Sequence, residues 1–517
     1  MATYYYDSVN GNDANPGTIG SPKQTYTSVG TVVGDRFLFK AGTTQTFPSM
    51  ATARSGSSDS ARSYFGVYGA SAQATYVTFR VASGAIILNG AGSKYITFED
   101  IYFDMTNPGV LHSVYCTSQS VAGQTVGNIF RRCYFTGSNS GVAPGGGNGL
   151  NIQREPASTA ASPEDYLIED CHFWGNSGHG MLVAGGRNII VRRCNFWGNG
   201  FDDPTGGHGF SSRALHRSAP SGWTISTGTI WQHTLAAPAT DVYYVRTNVA
   251  AYFRLTRTPG AATAPGLGQY GVSGGVLYIN VGSAANPSTQ AITYVYALCS
   301  NLLIEDCNSW GNISDPRTPG TEGHGYAFDD YAENSIFRRN KSYDNEGAGF
   351  SINRGDSNTV ASNIAFNNGG PGIIVNIGFN ARIINNTLTN NNQGGIHARA
   401  GEVVFTYTCS DGLVTNNIVV GTKTYGIDCD PANLGFRGSN NNIYGAAKAD
   451  RTGFGEGTIT VNPMLDTEFR PRATALRRSG AYLGGKDFYA KQFYNPPNIG
   501  AVEDVTSTPR YAFLNRK

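Results

Sequence analysis

A repeat near 23 residues, matched columns of Asn and aromatic residues, and a Gly-rich, charge-poor composition predict an all-β chain. It would be wound as a parallel β-helix (β-solenoid) that carries a small β-rich insertion. Of 517 residues 67 are Gly, 14% are charged and 12% are aromatic, which suits strands joined by frequent turns.

The expected elements, in chain order, are a capping segment over 1–74, coils over 75–217, the insertion over 218–297, further coils over 298–445, and closing strands with a tail over 446–517. The opening MATYYYDSVNGNDANPG has no basic stretch followed by an apolar run, so no secretory signal is expected. No apolar run reaches the length of a membrane span. The net charge of +2 offers no electrostatic case for a nucleic-acid partner.

The coils are aligned on one hydrophobic anchor each: Phe130, Ile168, Val191, Ile304, Phe337, Val360, Ile383 and Val414. The steps 168 to 191, 337 to 360 and 360 to 383 are each 23 residues, and longer steps read as the same unit with a loop inserted. Three residues past the anchor stand Cys133, Cys171, Cys194 and Cys307, then Asn340, Asn363, Asn386 and Asn417. Six past it stand Trp174, Trp197, Trp310, Tyr343 and Phe366. Eight past it stand Asn176, Asn199, Asn312, Asn345, Asn368 and Asn391.

Coils about 4.8 Å apart bring each side chain against its equivalents, so like residues form ladders. The Asn columns are expected to bond amide to amide, and the aromatic column to stack and fill the core. The four Cys are expected as a buried thiol ladder without disulfides, since free Cys behaves as a small hydrophobe. No CxxC pair argues for a metal.

A second motif, Gly-x-Gly-apolar, recurs as GNGL at 147, GHGM at 178, GHGF at 207, GHGY at 323, GAGF at 347 and GPGI at 370. An alternating strand follows it. From about Ser218 to Ala297 the anchors vanish, and short strands alternate with Gly and Pro turns. An insertion of this length between the coils of His208 and His324 would wall a groove or meet a neighbouring subunit.

With these repeats in view the chain resembles the right-handed parallel β-helix proteins of the pectin-lyase-like superfamily, over roughly residues 75 to 445. The opening YYYDSVNGNDANPGT and the late NIGAVE at 498–503 are similar to a frequent lead-in and closing strand of that group. The resemblance implies action on acidic polysaccharides by lyases or hydrolases. Many members are phage tailspikes that bind and cut surface glycans. The implied partners are therefore a bacterial surface polysaccharide, virion tail or baseplate proteins, and two further copies in a homotrimer. The implied location is a phage tail, after synthesis in the host cytoplasm, with an extracellular bacterial enzyme as the alternative. A virion anchor and a trimerisation domain, usual in tailspikes, are not evident in this sequence. Polygalacturonases of this fold carry DD about one coil before GHG; here DD follows GHG at 324 by a few residues, so their roles do not transfer.

Stacking the Gly-x-Gly register locates the candidate chemistry. The x column reads Asn148, His179, His208, His324, Ala348, Pro371. Glu322 and Glu346 fall on consecutive coils. Further along, Arg213, Asp329, Asn353 and Asn376 share a column, and Asp330 and Arg354 share the next. Glu322, Glu346, Asp329, Asp330 and His324 are the catalytic candidates; Arg213, Arg354, Asn353 and His208 are the substrate-binding candidates.

Glycoside hydrolysis needs two carboxyl groups, about 5–5.5 Å apart for retention or about 6.5–9.5 Å for inversion. Elimination needs a base such as His324 and positive charge such as Arg213 and Arg354 over a uronate. No cofactor is expected, with Ca²⁺ on Asp329 and Asp330 as a variant of the lyase chemistry. Structural readings stand beside these: the histidines as one more ladder, the two glutamates as solvent-facing neighbours, and Asp329–Asp330 as a turn, since adjacent strand residues point to opposite faces.

Overall fold

The structure is a computed structural model that describes residues 2–26, 33–47, 55–81, 85–89, 93–105, 112–118, 124–137, 147–154, 162–201, 207–218, 222–235, 244–247, 253–257, 263–265, 267, 269–273, 276–280, 292–314, 323–392, 401–406, 409–421, 424–429, 435–446, 448–450, 457–481, 483–493 and 497–503. Three long sheets, parallel throughout, form its body. The first runs from Thr3–Tyr6 to Arg437–Ser439, the second from Thr44–Phe47 to Asn442–Tyr444, and the third from Ala85–Asn89 to Lys448–Asp450. From Ser63–Tyr68 onward each coil gives one strand to each sheet. Stacking already starts at Thr3–Tyr6, which pairs with Arg36–Lys40 inside the segment expected as a cap.

The strands are short because each coil turns twice within a few residues. Between the first and second sheets the corner is a single left-handed residue: Arg132, Asp170, Arg193, Asp306, Arg339, Ser362, Asn385 and Asn416 have φ between 51° and 58°. That conformation costs about 1–2 kcal/mol for an L-residue. The ladder beside each corner holds it in place. Cys133 N–H donates to Cys171 Sγ at 3.4 Å, and Cys194 N–H to Cys307 Sγ at 3.3 Å. Cys307 N–H then donates to Asn340 Oδ1 at 3.0 Å, and the pattern passes through Asn363, Asn386, Asn417 and Asn441. Thiol and amide are thus alternatives in one column. All eight cysteines are buried and free. The second Asn ladder, Asn176 to Asn391, is likewise buried, and each Nδ2 donates to the Oδ1 of the next coil at 2.7–3.0 Å.

The aromatic column differs from expectation. Trp174, Trp197, Trp310, Tyr343 and Phe366 do stack, with centroids 4.9–5.7 Å apart and planes within 8°. They face outward from the second sheet and are only half-buried. The core is filled by the residue before each, as in Phe135, Phe173 and Phe196, stacked at 4.7 and 4.8 Å. A strand alternates its faces, so the middle residue of three points in and its neighbours point out.

Outside the first sheet lies a charge lattice. Glu99, Arg131, Glu169, Arg192, Glu305 and Arg338 share one column. The corner residues Asp100, Arg132, Asp170, Arg193, Asp306 and Arg339 form the next. Acid alternates with base from coil to coil in both. Glu169 is a hub, bonded by Arg131 and Arg192 at 2.6 Å and by Arg193 at 3.0 Å. Burial alone would raise its pKa, but the guanidinium groups of Arg131 and Arg192 outweigh it and bring the carboxyl down to about 2.

Strands from Leu215–Ser218 to Ile292–Ala297 make a separate eight-stranded sheet, antiparallel except where Phe253–Arg257 meets Gln269–Ser273. The β-helix closes across this excursion. Ile190–Arg192 pairs directly with Leu303–Glu305, as if nothing intervened. NIGAVE at 498–503 forms no strand, in contrast to its expected role. Ile499, Ala501 and Val502 instead pack on the outer face of the second sheet, beside Ile418 and Ile364. Among the described residues no helix is long and apolar enough to cross a membrane.

Candidate functional site

The Gly-x-Gly motif feeds the third sheet. Its second glycine has no room for a side chain: a Cβ at Gly180 would lie 2.6 Å from Gly209 O, and one at Gly209 would lie 2.6 Å from Gly325 O. The motif is therefore a requirement of close stacking. The intervening histidines form a ladder. His179, His208 and His324 stack with centroids 5.0 and 4.9 Å apart. The Nδ1 of each accepts the backbone N–H of the next coil: His208 N to His179 at 3.0 Å, His324 N to His208 at 3.1 Å, and Ala348 N to His324 at 2.8 Å. An accepting Nδ1 puts the proton of a neutral ring on Nε2.

Two sequence-based assignments change here. His208 is 1% exposed, so it is a rung of the ladder and not a substrate contact. His324 uses its basic nitrogen within the ladder, which removes it as a general base. Burial, then the neighbouring His208 and Arg213, hold His179 well below the usual imidazole range.

Glu322 lies outside the described residues, as do Asp202 and Asp203. Glu346 is half-buried, and its carboxylate accepts Ser314 N–H at 2.7 Å, which joins it to the coil before. Asp329 and Asp330 behave differently. The strand Tyr326–Phe328 ends before them, and the chain turns left-handed at Asp330 (φ 37°) and again at Tyr331 (φ 64°). The left-handed step recurs at Gly185, Arg354 and Ile377 of the same column, so the second one, at Tyr331, is what is particular to this coil. The bend removes the strand alternation that would have set the two carboxylates on opposite faces. Asp329 accepts Asn353 Nδ2 at 2.9 Å, and Asp330 forms an ion pair with Arg354. All four are half-buried. A Ca²⁺ on the two aspartates would find no third His, Cys or acidic ligand among the described residues.

The third sheet offers a polar row beyond this pair. Gln153, Ala184 and Arg213 occupy one column, Asp329 follows at the end of the Ser212↔Phe328 pairing, and Asn353, Asn376 and Thr406 continue it. Ala184 apart, these residues are half-buried or, for Arg213, exposed, whereas Ser211, Ala327 and Ser351 of the neighbouring outward column are at most 4% exposed. The row is thus the accessible edge of the face. It extends at its N-terminal end into a cluster that the repeat alignment missed. Asn151 Nδ2 lies 3.3 Å from both His112 Nε2 and Gln153 Oε1, and Gln153 reaches the Tyr115 hydroxyl. His112 Nδ1, Asn148 Nδ2 and Asn151 Oδ1 are buried without a hydrogen-bond partner. The strand His112–Ser118 carries no Gly-x-Gly; its alternation, HSVYCTS, was the signal available. The inserted sheet is rooted beside the bend, where Val295 packs with Ala214 and Tyr331.

A family model described as "Right handed beta helix region" matches residues 286–405. The chain is a right-handed parallel β-helix. Solved structures of similar shape include pectate lyase Pel9A, with 14% identity, 97% of this chain and 96% of that chain covered, and TM-score 0.42. The A-module of the Azotobacter vinelandii mannuronan C-5 epimerase AlgE6 matches with 13% identity, 83% and 91% covered, and TM-score 0.43. A rhamnogalacturonan lyase matches with 14% identity, 85% and 87% covered, and TM-score 0.39. At TM-scores below 0.5 these likenesses carry no argument about this chain. The search of curated proteins finds no match.

Proposed function

We propose that the protein is a tailspike-like β-helix that binds a bacterial surface polysaccharide along the third sheet and depolymerises it by glycosidic hydrolysis. The observation that carries this reading is the polar row that passes through the bend at Asp329 and Asp330. Its side chains repeat at the coil spacing, which suits a polymer of repeating units better than a small molecule, and two carboxyl groups stand where the backbone departs from the strand. Arg213 and Asn353 hold the sugar. One carboxyl of the Asp329–Asp330 pair gives its proton to the leaving glycosidic oxygen. The other acts as a carboxylate on the opposite face of the ring, directly or through water. In this reading the protein works on a virion tail, as a homotrimer.

A second reading, glycan binding without cleavage, is favoured by the bonds that already engage Asp330 and Glu346. The test is incubation with capsule or lipopolysaccharide from candidate hosts. New reducing ends support hydrolysis, and an absorbing unsaturated uronate marks elimination. Tight binding with neither marks a non-catalytic spike. If Asp329→Asn and Asp330→Asn both leave reducing-end release unchanged, the site assignment fails.

A further inference from the structure

A second recess lies on another face, at the corner of the first and second sheets. It has a volume of about 620 Å³, and Tyr76, Asp100, Arg132, Tyr134, Asp170 and His172 are among the residues that line it. Its floor is Tyr134 stacked on His172, with centroids 4.9 Å apart and planes 11° apart. Tyr76 stands against this floor, tilted 47° to Tyr134 at 5.5 Å, and is 40% exposed. Its rim is a stretch of the charge lattice. Arg132 bonds both oxygens of Asp100 at 2.7 and 3.0 Å, and Arg193 bonds both oxygens of Asp170 at 2.7 and 2.8 Å.

We infer that this recess is a glycan-binding subsite for neutral pyranose residues, separate from the row on the third sheet. Three features lead there. Aromatic rings beside a few fixed polar groups are the usual lining of a small-ligand site, and the volume lies within the usual range of about 300–1,000 Å³. Each rim carboxylate is held rigid by its arginine yet keeps lone pairs for a hydroxyl donor, since a carboxylate offers about four acceptor sites. Groups held in place before binding lose little entropy on binding. The charge selects the sugar. Each rim carboxylate is already matched by its own guanidinium, so the recess offers a uronate no uncompensated positive charge, whereas a neutral ring offers the hydroxyls these acceptors need. On the third-sheet face, by contrast, Arg213 is exposed.

The test is calorimetric titration of the whole chain with cellohexaose, maltohexaose and mannohexaose as neutral probes, and with trigalacturonate as the acidic one. At least one neutral hexasaccharide should bind. Tyr76→Ala should weaken that binding about tenfold and Asp170→Asn several-fold. Tyr76 is exposed, so its variant should keep the parent's melting temperature. Asp170→Asn preserves shape and is the second check if Tyr76→Ala does not fold. The inference is overturned if no neutral probe binds, if Tyr76→Ala and Asp170→Asn bind as the parent does, or if trigalacturonate competes for the same site. Loss of neutral binding in Arg213→Ala alone would also overturn it, by moving the sugar to the third sheet. None of these outcomes depends on cleavage, so the subsite can stand or fall apart from the depolymerase reading.

Discussion

Replacing Glu169 by Gln tests whether the charge lattice holds the coils together. The side chain is 4% exposed and meets three guanidinium groups from the coils on either side. Its carboxyl falls from an ordinary 4.5 to about 2, a difference of about 3 kcal/mol between folded and unfolded chain. The three arginines are 34–46% exposed, and water screens part of that attraction, so the expected loss in Glu169→Gln at pH 7 is ~2 kcal/mol. The pH dependence follows from the direction of the shift. A lowered folded-state pKa means that the unfolded chain binds the extra proton, so the contribution is complete above 4.5 and is lost as pH falls through 2. Urea unfolding of parent and variant at several pH values measures both. Their difference should be largest near neutrality and should shrink steadily below pH 4.5. Equal stability at pH 7, or a difference that persists unchanged near pH 2, would refute the hub role.

Other outcomes follow from the ladders and the site. Asn345→Ala removes bonds to Asn312, Asn368, Ser342 and Ser309 O within a buried column; it should cost about 2–3 kcal/mol in urea unfolding. Gly325→Ala would set a Cβ 2.9 Å from Gly349 O and closer still to Ser342 Oγ, and should lower stability by about 3 kcal/mol. The parent should also lose stability as pH falls from 6.5 towards 4. Burial, then Arg213, takes His112 down to about 4, and His179 lies well below the usual range. Protons added in that window go to the unfolded chain first. A melting temperature that stays flat between pH 7 and 4 would contradict this. Asp329→Asn should abolish any release of reducing ends while leaving the melting temperature within a few degrees of the parent.

The β-helix was legible because its ladders repeat a residue type at a fixed step. Asn176 to Asn391 could be aligned from letters alone, and the structure joins them rung by rung. Which face a column occupies was less legible. Phe173 and Trp174 are adjacent aromatics, and only the alternation of a three-residue strand says that the first is core and the second is surface. The charge lattice was missed for another reason. Acid and base alternate between coils, so a search for like residues in one column passes over the Glu-Asp and Arg-Arg pairs. His208 and His324 misled through their chemistry: imidazole suggests acid–base work, yet its Nδ1 serves here as an acceptor for the next coil's backbone.

The same contrast bears on where chemistry can reside in a stacked fold. A column that serves the scaffold keeps a bonding scheme from rung to rung, as in the Asn and His ladders and in the alternating acids and bases of the first sheet. The accessible row from Gln153 to Thr406 does not: Gln, Ala, Arg, Asp, Asn, Asn and Thr follow one another at equivalent positions. Parts of it are internally bonded, as Asn353 is to Asp329, but no single bonding scheme runs its length. A row free of the demand for like rungs can vary coil by coil to suit the groups of an asymmetric ligand. At Asp330 and Tyr331 it also departs from strand geometry, at a cost of about 1–3 kcal/mol for each strained residue. A scaffold role for the row would require that cost to be offset by stacking. The Asp330 carbonyl accepts Ala214 N–H at 2.7 Å and Tyr331 N–H donates to Asn353 O at 3.3 Å, so the bend stays joined to the coils on both sides. Left-handed residues also stand at Gly185, Arg354 and Ile377 of the Asp330 column, so what sets this coil apart is the second step at Tyr331 and the two carboxyl groups beside it.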